Sequence, residues 1–169
     1  QTAAQILAEE FPERKIIVFD SLGAGLGTGL LVCKAADMRA EGIEIENVNE
    51  ELIPYRNNLC EFFTVDDLAF LKRSGRLSGV ASAIGTILQI KPVLRGDEEG
   101  HIVAYAKHRG RKHAIDAIVE LFKKKARNVE ENRIAISHGD CIEDAKILAE
   151  RIKAIASPKE LIIAMHEPL

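Results

Sequence analysis

Residues 20–29, Asp20-Ser-Leu-Gly-Ala-Gly-Leu-Gly-Thr-Gly29, set four glycines at alternate positions between an apolar run and a helical one. Two kinds of chemistry suit that spacing. Glycines let backbone amides approach a ligand, and the start of the following helix favours an anion. They equally let a helix and a strand pack closely with no ligand between them. A dinucleotide fingerprint is excluded, because G-x-G-x-x-G would need glycine at Thr28 or Leu30, and no Gly-Lys-Ser/Thr of a P-loop follows.

Arg76, in Ser74-Gly-Arg-Leu-Ser78, falls beyond the glycine expected to stop a helix. Its guanidinium either sits in solvent or clamps a carboxylate or phosphate through two parallel bonds. In residues 77–90, Val80, Ile84, Ile87 and Leu88 make an apolar stripe, and Ser78, Ser82, Gly85 and Gln89 make a low-volume one beside it. Such a face admits another helix or a slender apolar guest. The run Lys107-His-Arg-Gly-Arg-Lys-His113 puts cations at the start of a helix, against its dipole, a cost that a bound anion or acidic partner would offset. It also suggests a nucleic-acid patch, although no aromatic interleaves it. His138, at the end of an expected strand, reads either as a structural ring or, paired with Ser21, as the start of a small hydrolase or phosphotransferase. Neither a nucleophile elbow nor H-E-x-x-H nor a paired-carboxylate signature occurs, so no catalytic or metal-ligating residue is assigned.

The elements that must position these groups alternate along the chain. Residues 15–19 (KIIVF) read as a buried strand, and residues 26–41 as a helix stopped by Gly42. Val48, Leu52, Tyr55 and Leu59 recur at helical spacing, with Pro54 in conflict inside them. Residues 59–63 predict a strand, and Thr64 with Asp67 a capped helix start ending at Gly75. Residues 90–94 and 102–106 predict an antiparallel pair across a polar turn. Ile115, Ile118, Val119 and Phe122 form one amphipathic stripe; Ala145, Leu148, Ala149, Ile152 and Ile155 form another, capped by Asp140 with Glu143. Residues 133–137 and 160–165 are the matching strands. The expected fold is α/β, a mixed and partly parallel sheet with an inserted hairpin and flanking helices.

With 169 residues, 47% apolar and 29% charged, the chain can bury a full core, which excludes a disordered or collagen-like polypeptide. The net charge of −3 announces neither nucleic acid nor a membrane surface. The uncharged stretches are too short and too polar to span a bilayer. Cys33, Cys60 and Cys141 have no C-x-x-C spacing; they read as free, mostly buried thiols in a reducing cytoplasm. Residues 1–11 lack the basic start of a signal peptide.

Four motifs in series resemble the bacterial DegV family of fatty-acid-binding proteins: Asp20-Ser21 with Gly25-Leu-Gly-Thr-Gly29; Val65-Asp-Asp-Leu68 running to Leu71-Lys-Arg-Ser-Gly-Arg-Leu-Ser78; Leu88-Gln-Ile-Lys-Pro-Val-Leu94; and Arg109-Gly-Arg-Lys112. Ser74 stands where the family usually has a first glycine. The resemblance implies two α/β domains with a long-chain fatty acid between them, its tail inside the C-terminal domain and its carboxylate near the junction. It further implies an acyl-binding subunit, with no cofactor of its own, that presents the carboxylate to a separate fatty acid kinase. By that likeness Asp20, Ser21, Gly25 and Gly27 shape the mouth, Arg76 lies near the carboxylate or the kinase, and Ser78, Ser82, Ile84, Gly85 and Leu88 line the tail. Residues 1–42 are expected to be the remnant of a Rossmann-like N-terminal domain and residues 43–169 the lipid-binding domain. The chain lacks the family's N-terminal small hydroxyl residues and its C-terminal histidine-threonine-glycine-proline-glycine segment, so it is expected to be a fragment cut at both ends.

Overall fold

The computed structural model describes residues 2–75 and 90–166. The expectations placed on Arg76, Ser78, Ser82, Ile84, Gly85 and Leu88 lie outside the described residues, as does most of the helix expected over 77–90. The described elements run α1 (Thr2–Glu10), α2 (Leu26–Ala40), α3 (Ile45–Asn58), β1 (Phe63–Thr64), α4 (Leu68–Arg73), β2 (Ile90–Gly96), β3 (Ile102–Arg109), α5 (Arg111–Lys125), β4 (Arg133–His138), α6 (Ile142–Lys153) and β5 (Glu160–Met165). This is the mixed α/β class expected. Its antiparallel and parallel parts, however, form two sheets: β1-β2-β3 antiparallel, and β4-β5 parallel.

Three apolar clusters hold these layers. Leu31, Met38 and Leu52 join α2 to α3, with Phe19, Ile43, Val48 and Leu59 packed around them. Leu94 centres a second cluster with Phe63, Val65, Leu68, Leu71, Ile102 and Ala104 on the antiparallel sheet. Ile136, Ala145, Ala149 and Ile152 pack α6 on the parallel pair, with Phe122 of α5 and Leu148, Ile134 and Leu161 alongside. The helical stripes are therefore the core faces, except that Tyr55 and Ile155, the latter beyond the end of α6, stay exposed. Arg133 ties the layers electrostatically: its guanidinium bonds the Asp37 carboxylate of α2 and donates to Glu160 Oε2 of β5 at 3.0 Å.

Local chemistry accounts for several element ends. Gly42 has φ +81 after α2, as its place beyond the last helical residue requires. The β2–β3 turn is closed by Asp97, whose Oδ1 accepts from the amides of Glu99 at 3.0 Å and His101 at 2.8 Å. Helix α3 continues through Pro54. Asn58 Nδ2 there donates to the Pro54 carbonyl at 2.8 Å, and the apolar stripe decides the helix over the lost amide.

Five expectations are corrected. Residues 15–19 are extended but form no strand: a strand needs a neighbour to take its backbone groups, and among the described residues none runs beside them. Ile17 and Phe19 face inward while Ile16 and Val18 stay exposed, and Val18 O accepts from Asn49 Nδ2 of α3 at 3.3 Å. The strand expected at 59–63 is the two-residue β1, pairing Phe63 with Leu94 and Thr64 with Val93; it ends where Pro92, which has no amide hydrogen, would come opposite. The cap of α4 is Asp67, whose Oδ1 accepts from the Ala69 amide at 2.8 Å, and not Thr64, which lies in β1. Asp140 does not cap α6; it adopts φ +53, and the His138 ring takes the amide of Cys141 instead. Of the thiols expected to be buried, Cys60 is exposed and Cys33 and Cys141 are only half-buried.

Candidate functional site at the glycine turn

The turn from Asp20 to Gly29 leads into α2, and its polar side chains close on themselves. Asp20 Oδ1 accepts from the Leu22 amide at 3.0 Å. Ser21 Oγ lies 3.0 Å from Thr28 Oγ1, and both hydroxyls lie 3.3 Å from the Gly23 carbonyl as donors. Arg56 of α3 donates to the Asp20 carbonyl at 3.1 Å and stacks over the Phe19 ring at 5.5 Å. The N-cap is Gly25, with φ +54 and ψ −127, a backbone only glycine adopts without strain, and it offers no side-chain cap.

The space that the glycines leave is taken by two side chains from distant parts of the sequence. A Cβ on Gly23 would overlap Glu61 Oε1, and one on Gly27 would overlap the Glu61 carboxyl group as a whole. A Cβ on Gly25 would stand 2.7 Å from Cε1 and 3.0 Å from Nε2 of the His166 imidazole. The groups that approach Gly23, Gly25 and Gly27 thus belong to the chain itself, while Gly29 meets only Leu26 at 3.7 Å. Glu61 Oε2 accepts from the Ala24 amide at 3.5 Å, while Oε1 is buried with no hydrogen-bond partner. Burial pushes the Glu61 carboxyl above the usual carboxylate range, and the Ala24 amide offsets that only in part.

The structure therefore brings Asp20, Ser21, Gly25 and Gly27 together and adds Thr28, Arg56, Glu61 and His166, which sequence reasoning did not single out. Glu61 had one faint signal, a charge interrupting the apolar run Leu59-Cys-Glu-Phe-Phe63. His166 had none.

The other sites carry less. Ser21 and His138 do not pair: the Ser21 hydroxyl is engaged within the turn, and His138 Nδ1 accepts from the Cys141 amide at 3.3 Å. That disposes of the geometry a Ser21/His138 hydrolase needs and ties His138 to the turn before α6. In the basic run, Arg111 bonds Asp144 of α6 and lies 3.6 Å from Asp66 Oδ1; Lys112 lies 3.8 Å from Asp116. The chain's own carboxylates offset the dipole, so the run supplies no argument for nucleic acid. Among the described residues no group of His, Cys, Asp and Glu could hold a metal ion, and no helix is long and apolar enough to cross a membrane.

Comparison with known proteins agrees with these motifs. The family model described as "Uncharacterised protein, DegV family" matches residues 1–169. A DegV domain-containing protein of Clostridium perfringens is 40% identical over 161 residues, which is 95% of this chain and 55% of that protein. The crystal structure of DegV, a fatty acid binding protein from Bacillus subtilis, superposes with a TM-score of 0.81 at 31% identity, covering 97% of this chain and 58% of that one. The Streptococcus pneumoniae fatty acid kinase B3 protein, loaded with linoleic acid, gives a TM-score of 0.83 at 28% identity, covering 98% and 58%. The chain spans somewhat more than half the length of the relatives it matches, and it belongs to the DegV family.

Proposed function

We propose that this chain is part of a protein that binds one long-chain fatty acid, with the tail in residues 43–169 and the head group towards the glycine turn and Arg76. The observation that carries the reading is the likeness, across 97% of the chain, to a DegV protein that binds fatty acid. The turn adds compatible chemistry: it carries the hydroxyls of Ser21 and Thr28, which bond within the turn in this structure, and the imidazole of His166 against Gly25. Burying a sixteen-carbon tail at about 0.8 kcal/mol per methylene gives on the order of 10 kcal/mol gross, from which immobilisation takes back several. Arg76 then orients the carboxylate more than it adds affinity, because desolvation offsets much of the pairing.

Native mass spectrometry of the protein expressed in bacteria is expected to reveal adducts of C14–C18 acids, or to acquire one on addition of hexadecanoate. A clean apo protein that also refuses added acid overturns the reading.

The finer role is presentation of the carboxylate to a separate fatty acid kinase, supported by the likeness to the fatty acid kinase B3 protein. Arg76→Ala is expected to leave the circular dichroism unchanged and to lower acyl-phosphate formation by such a kinase. Unchanged turnover would remove Arg76 from that role.

A further inference from the structure

One atom at the glycine turn has no account in the packing. Glu61 Oε1 is buried and meets no donor, while Oε2 has only the Ala24 amide at 3.5 Å. The carboxyl is wedged against Gly23 and Gly27, at the amino end of α2, so it occupies the end of the helix where an incoming anion is favoured. The other titratable and charged groups that the structure brings to the turn are Asp20, Arg56 of α3 on the Asp20 carbonyl and His166 against Gly25, and Cys60 is the neighbour of Glu61 in sequence. Among the described residues none of them forms an ion pair or hydrogen bond with Glu61. Among the described residues no cation pairs with this carboxylate.

A second carboxylate docking at the same turn meets that first one in a partly dry site. Two like charges there cannot both stay ionised at low cost, and the cheaper outcome is that one carries a proton. We propose that Glu61 is a head-group selectivity residue, which takes up one proton from solvent when an anionic lipid head docks at the glycine turn. The orphaned Oε1 is the atom that receives it. This rests on the lipid-binding reading above and deepens it: loading is favoured as pH falls, and head groups bearing more than one fixed charge are refused.

The test uses the whole chain and dodecane-1-sulfonate, whose head group cannot itself be protonated. Calorimetry in two buffers of different ionisation enthalpy, stepped from about pH 5 to about pH 8, counts the protons taken up per ligand. The wild type is expected to take up about one proton over part of that range, with affinity falling about tenfold per pH unit once Glu61 is ionised in the free protein. Glu61→Gln keeps the shape and is expected to bind without proton uptake and without the slope. Uptake that persists in Glu61→Gln and disappears in His166→Asn assigns the proton to His166 and overturns the proposal. Binding by the wild type with no uptake at any pH also overturns it, and that result requires no variant to fold. If neither dodecanoate nor the sulfonate binds at any pH, the lipid reading itself falls and this proposal with it.

Discussion

Helices α2 and α5 begin in the same way and end up in different chemical states. Each has a glycine N-cap at positive φ, Gly25 at +54 and Gly110 at +84, and neither cap offers a side chain to the first amides. In both, the negative charge that suits the helix start comes from elsewhere in the chain. Glu61 supplies it to α2; Asp144 of α6 and Asp66 supply it to α5. At α5 the carboxylates meet cations: Arg111 bonds Asp144, and Lys91 Nζ lies 2.6 Å from Asp66 Oδ1. At α2, among the described residues, Glu61 meets none and keeps a buried oxygen without a partner. The same device is structural where a cation matches it and poised for protonation where none does.

The largest expected effect is at Gly27, where a Cβ would overlap the Glu61 carboxyl. Alanine is the better helix former by about 0.5–1 kcal/mol, so a permissive site would gain stability from Gly27→Ala. Moving the Glu61 carboxyl aside, the far end of a flexible side chain, should take back part or all of that gain. In Gly27→Ala combined with Glu61→Ala the penalty should vanish. Urea denaturation of the two singles and the double measures the coupling, and additive effects would break the contact that the comparison depends on.

A smaller effect is expected in the pH dependence, where the two helix starts should tilt oppositely. Burial raises the Glu61 carboxyl, so its folded form holds a proton more tightly than its unfolded form. That contribution is present below the unfolded carboxylate value and is lost as pH rises through the folded one. The Lys91 ammonium, then the Arg111 guanidinium, lower Asp66, so its contribution is present above the unfolded value and lost as pH falls through the folded one. Thermal melts across the acid range should therefore give Glu61→Gln a gain that grows as pH rises. Asp66→Asn should give a loss that fades as pH falls. Parallel curves for the two variants would erase the distinction.

Elements held by local periodicity are readable in the sequence. The stripes of α5 and α6, the β2–β3 hairpin and the stop of α2 at Gly42 all follow from spacing and turn chemistry within a dozen residues. Residues 15–19 resemble a strand yet form none, because an apolar run records a tendency to burial and not the presence of a pairing partner. Caps mislead for a related reason. Thr64, Asp67, His138 and Asp140 all carry acceptors, and the path of the chain decides that Asp67 and His138 reach an amide.

Sequence alone established the α/β class, the helical core faces and, through four motifs in series, membership of the DegV family. Only the tertiary structure decided what fills the glycine turn. Glu61 stands 37 positions from Ala24, whose amide it bonds, and His166 is further still from the Gly25 it covers. Spacing along a chain fixes which residues share a face of one helix or strand. It carries no information about which distant carboxylate a closed loop will bring to a glycine, or whether a cation will come with it, because that depends on how separate elements pack.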